Sequence, residues 1–168
     1  MPAEVTRPWW LAPPRTLRTT LEGDVLRLHT VQSAAAYDML CSTGQLTGGP
    51  TYAEPVFASA YRWMRGEMDA RVGRADGIVW LWVNPTRRFL ARECRAQQGD
   101  VLLTVRMART GVVLSQFQSW HLVLNACGEP AEWRRTFDLN DRAELFQVQA
   151  TANRIRREDV VRVCRIAS

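Results

Sequence analysis

Residues 77–85, GIVWLWVNP, constrain the fold more than any other stretch of the chain. A continuous apolar run of this length, stopped by Asn-Pro, reads as a central β-strand. Alternation puts Trp80 and Trp82 on one face, and Val79, Leu81 and Val83 on the other. A central strand needs neighbours, and the rest of the chain offers them. VLRLHTVQ at 25–32 alternates apolar and polar residues, with His29 and Val31 on one face and Thr30 and Gln32 on the other. DVLLTVRM at 100–107, GVVL at 111–114, QVQATANRI at 147–155 and VVRVCRI at 160–166 are further strand-like segments.

Helices fill the gaps. Ser33 is placed to cap a helix that runs to about Thr43 and stops at Gly44. From Pro55, the residues Phe57, Ala60, Tyr61, Met64, Met68 and Val72 recur at helical spacing, and Gly73 ends the run. A third helix is expected to be capped by Ser115 and to carry Phe117, Trp120, His121 and Leu124 on its apolar face. A short fourth is expected over about 140–145. The expected fold class is a single α+β domain, a mostly antiparallel sheet with helices packed on it, over residues 25–168. Residues 1–24, with Pro2, Pro8, Pro13 and Pro14 and with Arg7, Arg15 and Arg18 interleaved with Trp9 and Trp10, read as an extended arm.

Composition narrows the function classes. At 168 residues, 46% apolar and 23% charged, the chain has the make-up of a soluble globular domain. No apolar run approaches the ~20 residues of a membrane span, and the N-terminus has no secretory h-region, so a cytoplasmic location is the expectation. Cys41, Cys94, Cys127 and Cys164 form no C-x-x-C pair, and with two histidines in the chain no metal site is expected. All 22 basic residues are arginine and the net charge is +5, a balance that favours anionic partners such as nucleic acid or dinucleotide phosphates. There is no Gly-rich phosphate loop, since TGGP at 47–50 fits neither of the common patterns, and no G-x-S-x-G.

Chemistry is left to polar residues embedded in apolar motifs. His121 lies on an apolar helix face, where it is either a hydrogen-bonded core residue or a base that orients substrate. His29, on a strand, is suited to holding a hydroxyl in a cleft or to lying near a sheet edge.

These motifs together resemble the uncharacterised bacterial family catalogued as domain of unknown function 3841. The pieces are LHTVQ at 28–32, AYRWM at 60–64, VWLWV at 79–83 and the Arg88/Arg92 pair before GDVLLTVRM, followed by VVLSQFQSWHLVLN at 112–125 and VQATANRIRREDVVRV at 148–163. The resemblance runs from about residue 26 to 166 and leaves the arm outside. The family usually has Asp where Gln116 stands, and Pro-Asp-Leu between the two arginines. A second, fold-level similarity is to compact ADP-ribosyltransferases that modify nucleic acid. In those, a first-strand His-x-Thr contacts the adenosine ribose of NAD and a later strand supplies a carboxylate. That similarity implies a ribose contact for His29 and places Gln149 and Thr151 at the late strand, although neither can supply a negative charge.

The motifs therefore nominate His121, His29 and Gln149 as catalytic residues. They nominate Thr30, Gln32, Tyr61, Arg88, Arg92, Ser115, Gln116, Trp120, Asn125 and Thr151 as substrate-binding residues, in a cleft lined by His29, Gln32, Arg92, His121 and Gln149. Three functional readings stay open. One is a small transferase-like enzyme acting on a nucleotide-like or small-molecule substrate, with NAD as the candidate cofactor. Another is a non-catalytic module that binds nucleic acid or a nucleotide. The third is an accessory enzyme of a specialised biosynthetic pathway.

Overall fold

The computed structural model describes residues 1–7, 23–49, 55–73, 76–139 and 148–166. Strands β1 (Glu4–Arg7), β2 (Val25–Gln32), β4 (Val79–Trp82), β5 (Val101–Ala108), β6 (Val112–Gln116), β7 (Val148–Ala152) and β9 (Val160–Ile166) form one seven-stranded sheet in the order β1-β9-β5-β2-β4-β7-β6. Every pairing is antiparallel except that of β1, which runs parallel to β9 at the edge. Strands β3 (Gln45–Thr47) and β8 (Arg154–Arg156) make a separate two-stranded ribbon. The fold is a single α+β domain, as the patterning implies.

Both faces of the large sheet are covered, which is what GIVWLWVNP demands. One face carries Leu28, Leu81, Leu103, Leu114 and Ala150 beneath helix α1 (Ala34–Thr43), whose Tyr37 and Leu40 are buried, and beneath Leu46 and Ile155 of the ribbon. The other face carries Trp80 and Val113 against helix α2 (Ala58–Val72) and helix α4 (Phe117–Leu124), through Ala60, Met64, Met68, Trp120 and Val123. On that second face, helix α3 (Arg87–Glu93) seals Trp82, Leu102 and Cys164 with Leu90 and Phe89. Helix α5 (Pro130–Trp133) packs Trp133 edge-on to Trp63, the tryptophan that lies off the main stripe of α2.

Local signals explain most boundaries. Ser33 Oγ accepts the Ala36 amide at 3.2 Å, and Gly44 closes α1 in a left-handed conformation, φ 80°. Two expectations change. Ser115 does not cap α4: it belongs to β6, where it faces Gln149, and the helix starts two residues later with Gln116 as an N-cap that makes no side-chain cap bond. Pairing with β7 overrides the local preference of serine for helix starts. Helix α3 is unexpected, though its signal is present in Thr86, whose hydroxyl accepts the Phe89 amide at 3.1 Å. The helix expected over 140–145 lies outside the described residues, as do residues 8–22 of the arm expected over 1–24, whose Glu4–Arg7 form strand β1.

Gly48 and Gly77 have a steric role. They bring two backbones together: a Cβ on Gly48 would overlap the Ile78 carbonyl, and one on Gly77 would overlap the Gly48 carbonyl. The absence of side chains lets the ribbon close onto the start of β4.

Candidate functional site

The strand register aligns six residues in one row on one face of the sheet. Arg162 of β9 faces Thr104 of β5, and Thr104 faces His29 of β2. His29 faces Trp82 of β4, Trp82 faces Gln149 of β7, and Gln149 faces Ser115 of β6. Directly opposed residues share a face. Of the six, Thr104, His29, Trp82, Gln149 and Ser115 are buried.

The row is polar where a sheet interior is normally apolar, and it is not self-sufficient. His29 Nδ1 lies 3.1 Å from Thr104 Oγ1. His29 Nε2, Gln149 Nε2 and Ser115 Oγ are all buried and have no hydrogen-bond partner among the described residues. A buried polar atom left this way costs about 1–3 kcal/mol, so three in one row call for an explanation. Burial, reinforced by the charges of Arg27 and Arg162, lowers the His29 pKa from 6.5 to about 4, and the ring is neutral at physiological pH.

Aromatic rings cover the middle of the row. Trp82 meets Phe89 of α3 at 4.7 Å and Phe117 of α4 at 5.0 Å, both edge to face. His121 follows one turn after Phe117, with its ring 4.4 Å from the phenyl ring. Its Nδ1 is 2.9 Å from the Phe117 carbonyl. A carbonyl can only accept, so Nδ1 carries a proton, and Nε2 is the nitrogen of the half-buried ring left for another partner.

Strands β2 and β4 touch at a single register pair, His29 with Trp82, and then part. Beyond the parting, the Thr30 hydroxyl donates to the Trp80 carbonyl at 2.9 Å, and Gln32 Nε2 donates to Thr30 Oγ1 at 2.8 Å. A cavity of about 540 Å³ opens there, between the strands, α1 and the ribbon, and Trp82 lies in its wall. That volume suits a small organic ligand. Cys94 also lines it, but burial raises the thiol pKa to about 11, so it stays protonated.

The structure thus sorts the nominated residues into groups. His29, Gln149 and Ser115 share the row. Thr30 and Gln32 lie on the opposite face, at the cavity. Thr151 is two residues along from Gln149, and its hydroxyl reaches the Val113 carbonyl at 3.4 Å. Tyr61 and Trp120 pack with Trp80, at 6.1 and 5.0 Å, in the core under α2 and α4. Gln116 donates to the Asp138 carbonyl and accepts from Ser119 at 3.1 Å. Asn125, exposed, donates to the His121 carbonyl at 2.7 Å and closes α4. Arg88 lies on α3, and Arg92, on the same helix, is exposed and pairs with the adjacent Glu93 at 2.7 Å. One cleft lined by His29, Gln32, Arg92, His121 and Gln149 together is not formed, because period-two alternation turns Gln32 to the other side of β2 from His29.

Sequence reasoning missed Trp82, Thr104 and Arg162 as members of the site. Thr104 had a signal, as the lone polar residue inside the apolar VLLTV; the other two depend on register alone.

Fold and site together define a small α+β protein whose central sheet buries a polar row under aromatic cover, beside a ligand-sized parting of two strands. The sequence matches the family model described as Domain of unknown function (DUF3841) over residues 27–127, more than half of the chain, and the protein belongs to that family. The match is shorter than the resemblance over 26–166: it takes in His29, Trp82, Thr104, Ser115 and His121, and stops before Gln149 and Arg162. No curated protein and no solved structure matches the chain.

Proposed function

We propose that this protein is a small enzyme that binds a nucleotide-like small molecule along the buried polar row, next to the parting of β2 and β4, and acts on it with His121 as general base. One observation carries the reading: three buried polar atoms without a partner among the described residues, on His29, Gln149 and Ser115, align in one row. A polar ligand would satisfy them, and a merely structural row would be expected to satisfy itself. Trp82 belongs both to the row and to the cavity wall.

Neutral His29 and Gln149 suit hydrogen bonding to hydroxyl or amide groups. His121 Nε2 suits taking a proton from a nucleophile. The row contains no carboxylate, and Glu93 in the wall of the adjoining cavity is the acidic residue that a step building positive charge on a ribose would draw on. The transferase-like class, NAD as ligand and a place in a specialised biosynthetic pathway are parts of this proposal. So is a cytoplasmic location, which the free cysteines fit. Among the described residues no helix is long and apolar enough to cross a membrane.

Calorimetry with NAD, ADP-ribose and adenosine tests the binding step. Binding that is lost in Gln149→Leu supports the reading, and no heat from any of the three at millimolar concentration overturns it.

A further inference from the structure

The cavity between β2 and β4 has a polarity of its own. All 22 basic residues of the chain are arginine, yet among the described residues no arginine lines the cavity. Glu93, at the end of α3, is the one charged side chain in the described wall. Its Oε1 pairs with Arg92 at 2.7 Å, but Arg92 stands outside the cavity with its side chain 75% exposed. An ion pair with so exposed a partner is readily exchanged for another. Hydrogen bonding fixes the polarity of a second lining group. Gln32 Nε2 donates to Thr30 Oγ1, and that hydroxyl gives its own hydrogen to the Trp80 carbonyl. Oε1, an acceptor, is therefore what the Gln32 amide brings to the wall. Cys94 is a neutral thiol whose sulfur takes a hydrogen bond from Trp82, and the negative charge of Glu93 helps to keep it protonated. Met39, Leu46, Ile78 and Val79 make much of the remaining wall apolar.

We infer that this cavity binds a small organic amine in its protonated form, with the ammonium group held by Glu93 and the apolar body of the molecule against the aliphatic wall. A carboxylate and an amide oxygen both call for N–H donors, and an ammonium group brings three of them together with a positive charge. A phosphate or carboxylate ligand would meet no cation in the described wall and would be repelled by Glu93. The volume of about 540 Å³ suits an amine with a single ring. This goes beyond the reading of the row and stands apart from it, because none of His29, Gln149 and Ser115 lines the cavity.

The test is calorimetry on the full-length protein with phenethylamine, 2-phenylethanol and 3-phenylpropionate, which share a ring and differ in charge at neutral pH. Phenethylamine should bind roughly tenfold more tightly than the alcohol, the worth of a hydrogen bond to a charged group. Added salt should weaken the amine alone, and the carboxylate should give no heat at millimolar concentration. Glu93→Gln should bring the amine down to the affinity of the alcohol and leave the alcohol unchanged. Its melting temperature should match the parent, because the pair with Arg92 is exposed. Arg92→Gln removes the competing cation and should leave amine binding equal or tighter. Absence of amine binding, equal binding of amine and alcohol, or a preference for the amine that survives Glu93→Gln overturns the inference. Adenosine binding without amine binding would refute the cavity assignment and leave the row reading intact. Amine binding without heat from any nucleotide would do the reverse.

Discussion

Replacing Ser115 by alanine should make the protein more stable. The hydroxyl is buried and has no partner among the described residues, so the fold carries the cost of desolvating it, about 1–3 kcal/mol. Alanine removes that oxygen and leaves a void of roughly 10 Å³, worth on the order of 0.2 kcal/mol. A slightly lower strand propensity takes back a few tenths more. The net expectation is a gain of about 1 kcal/mol, a rise of roughly 2–4 °C in Tm for a domain of this size. Urea denaturation with an unchanged m-value measures it directly. Thr104→Val is the contrasting substitution, because it removes the partner of His29 Nδ1 and should cost about 1–3 kcal/mol. If Ser115→Ala instead destabilises by 1 kcal/mol or more, the hydroxyl is satisfied within the fold, and the row loses its main claim to be a ligand site.

Three further outcomes are expected. The His29 ring, with a folded pKa of about 4 against 6.5, binds its proton less readily than in the unfolded chain. Its contribution is absent above pH 6.5, and stability is lost as pH falls from there to 4, on the order of 3 kcal/mol in all; His29→Gln should remove that part of the pH dependence, and identical profiles would refute the burial account. Gly48→Ala should cost about 3 kcal/mol, since its Cβ overlaps the Ile78 carbonyl, whereas Gly66→Ala, in open space on α2, should gain about 0.5–1 kcal/mol in thermal melts. His121→Ala should abolish turnover of a bound ligand while costing under about 1 kcal/mol, because the half-buried ring bonds only within its own helix; a large loss of stability would mark it as a core residue.

Elements whose reasons are local were legible in the chain. Ser33 and Gly44 bracket α1 by cap chemistry, and the Met64–Met68 stripe of α2 follows from helical period. Ser115 shows where such reasoning ends: a good helix cap became a strand residue because β7 lay ready to pair with it. The site was legible in part. His29, Gln149 and Ser115 stood out as polar residues in apolar strands, but nothing nearby in sequence tied them together.

The sequence by itself determined most of the sheet strands, helices α1, α2 and the body of α4, and which residues of a strand share a face, because 2.0 and 3.6 periods and cap chemistry act over a few residues. Only the tertiary structure decided the order β9-β5-β2-β4-β7-β6, and with it the register. Sliding one strand by a single residue would turn its polar member to the opposite face, so the row from Arg162 to Ser115 exists only through long-range pairing. The cavity has the same origin: β2 and β4 share one register pair, and beyond it the Thr30 hydroxyl takes the Trp80 carbonyl, a meeting of residues that lie 50 positions apart in the chain.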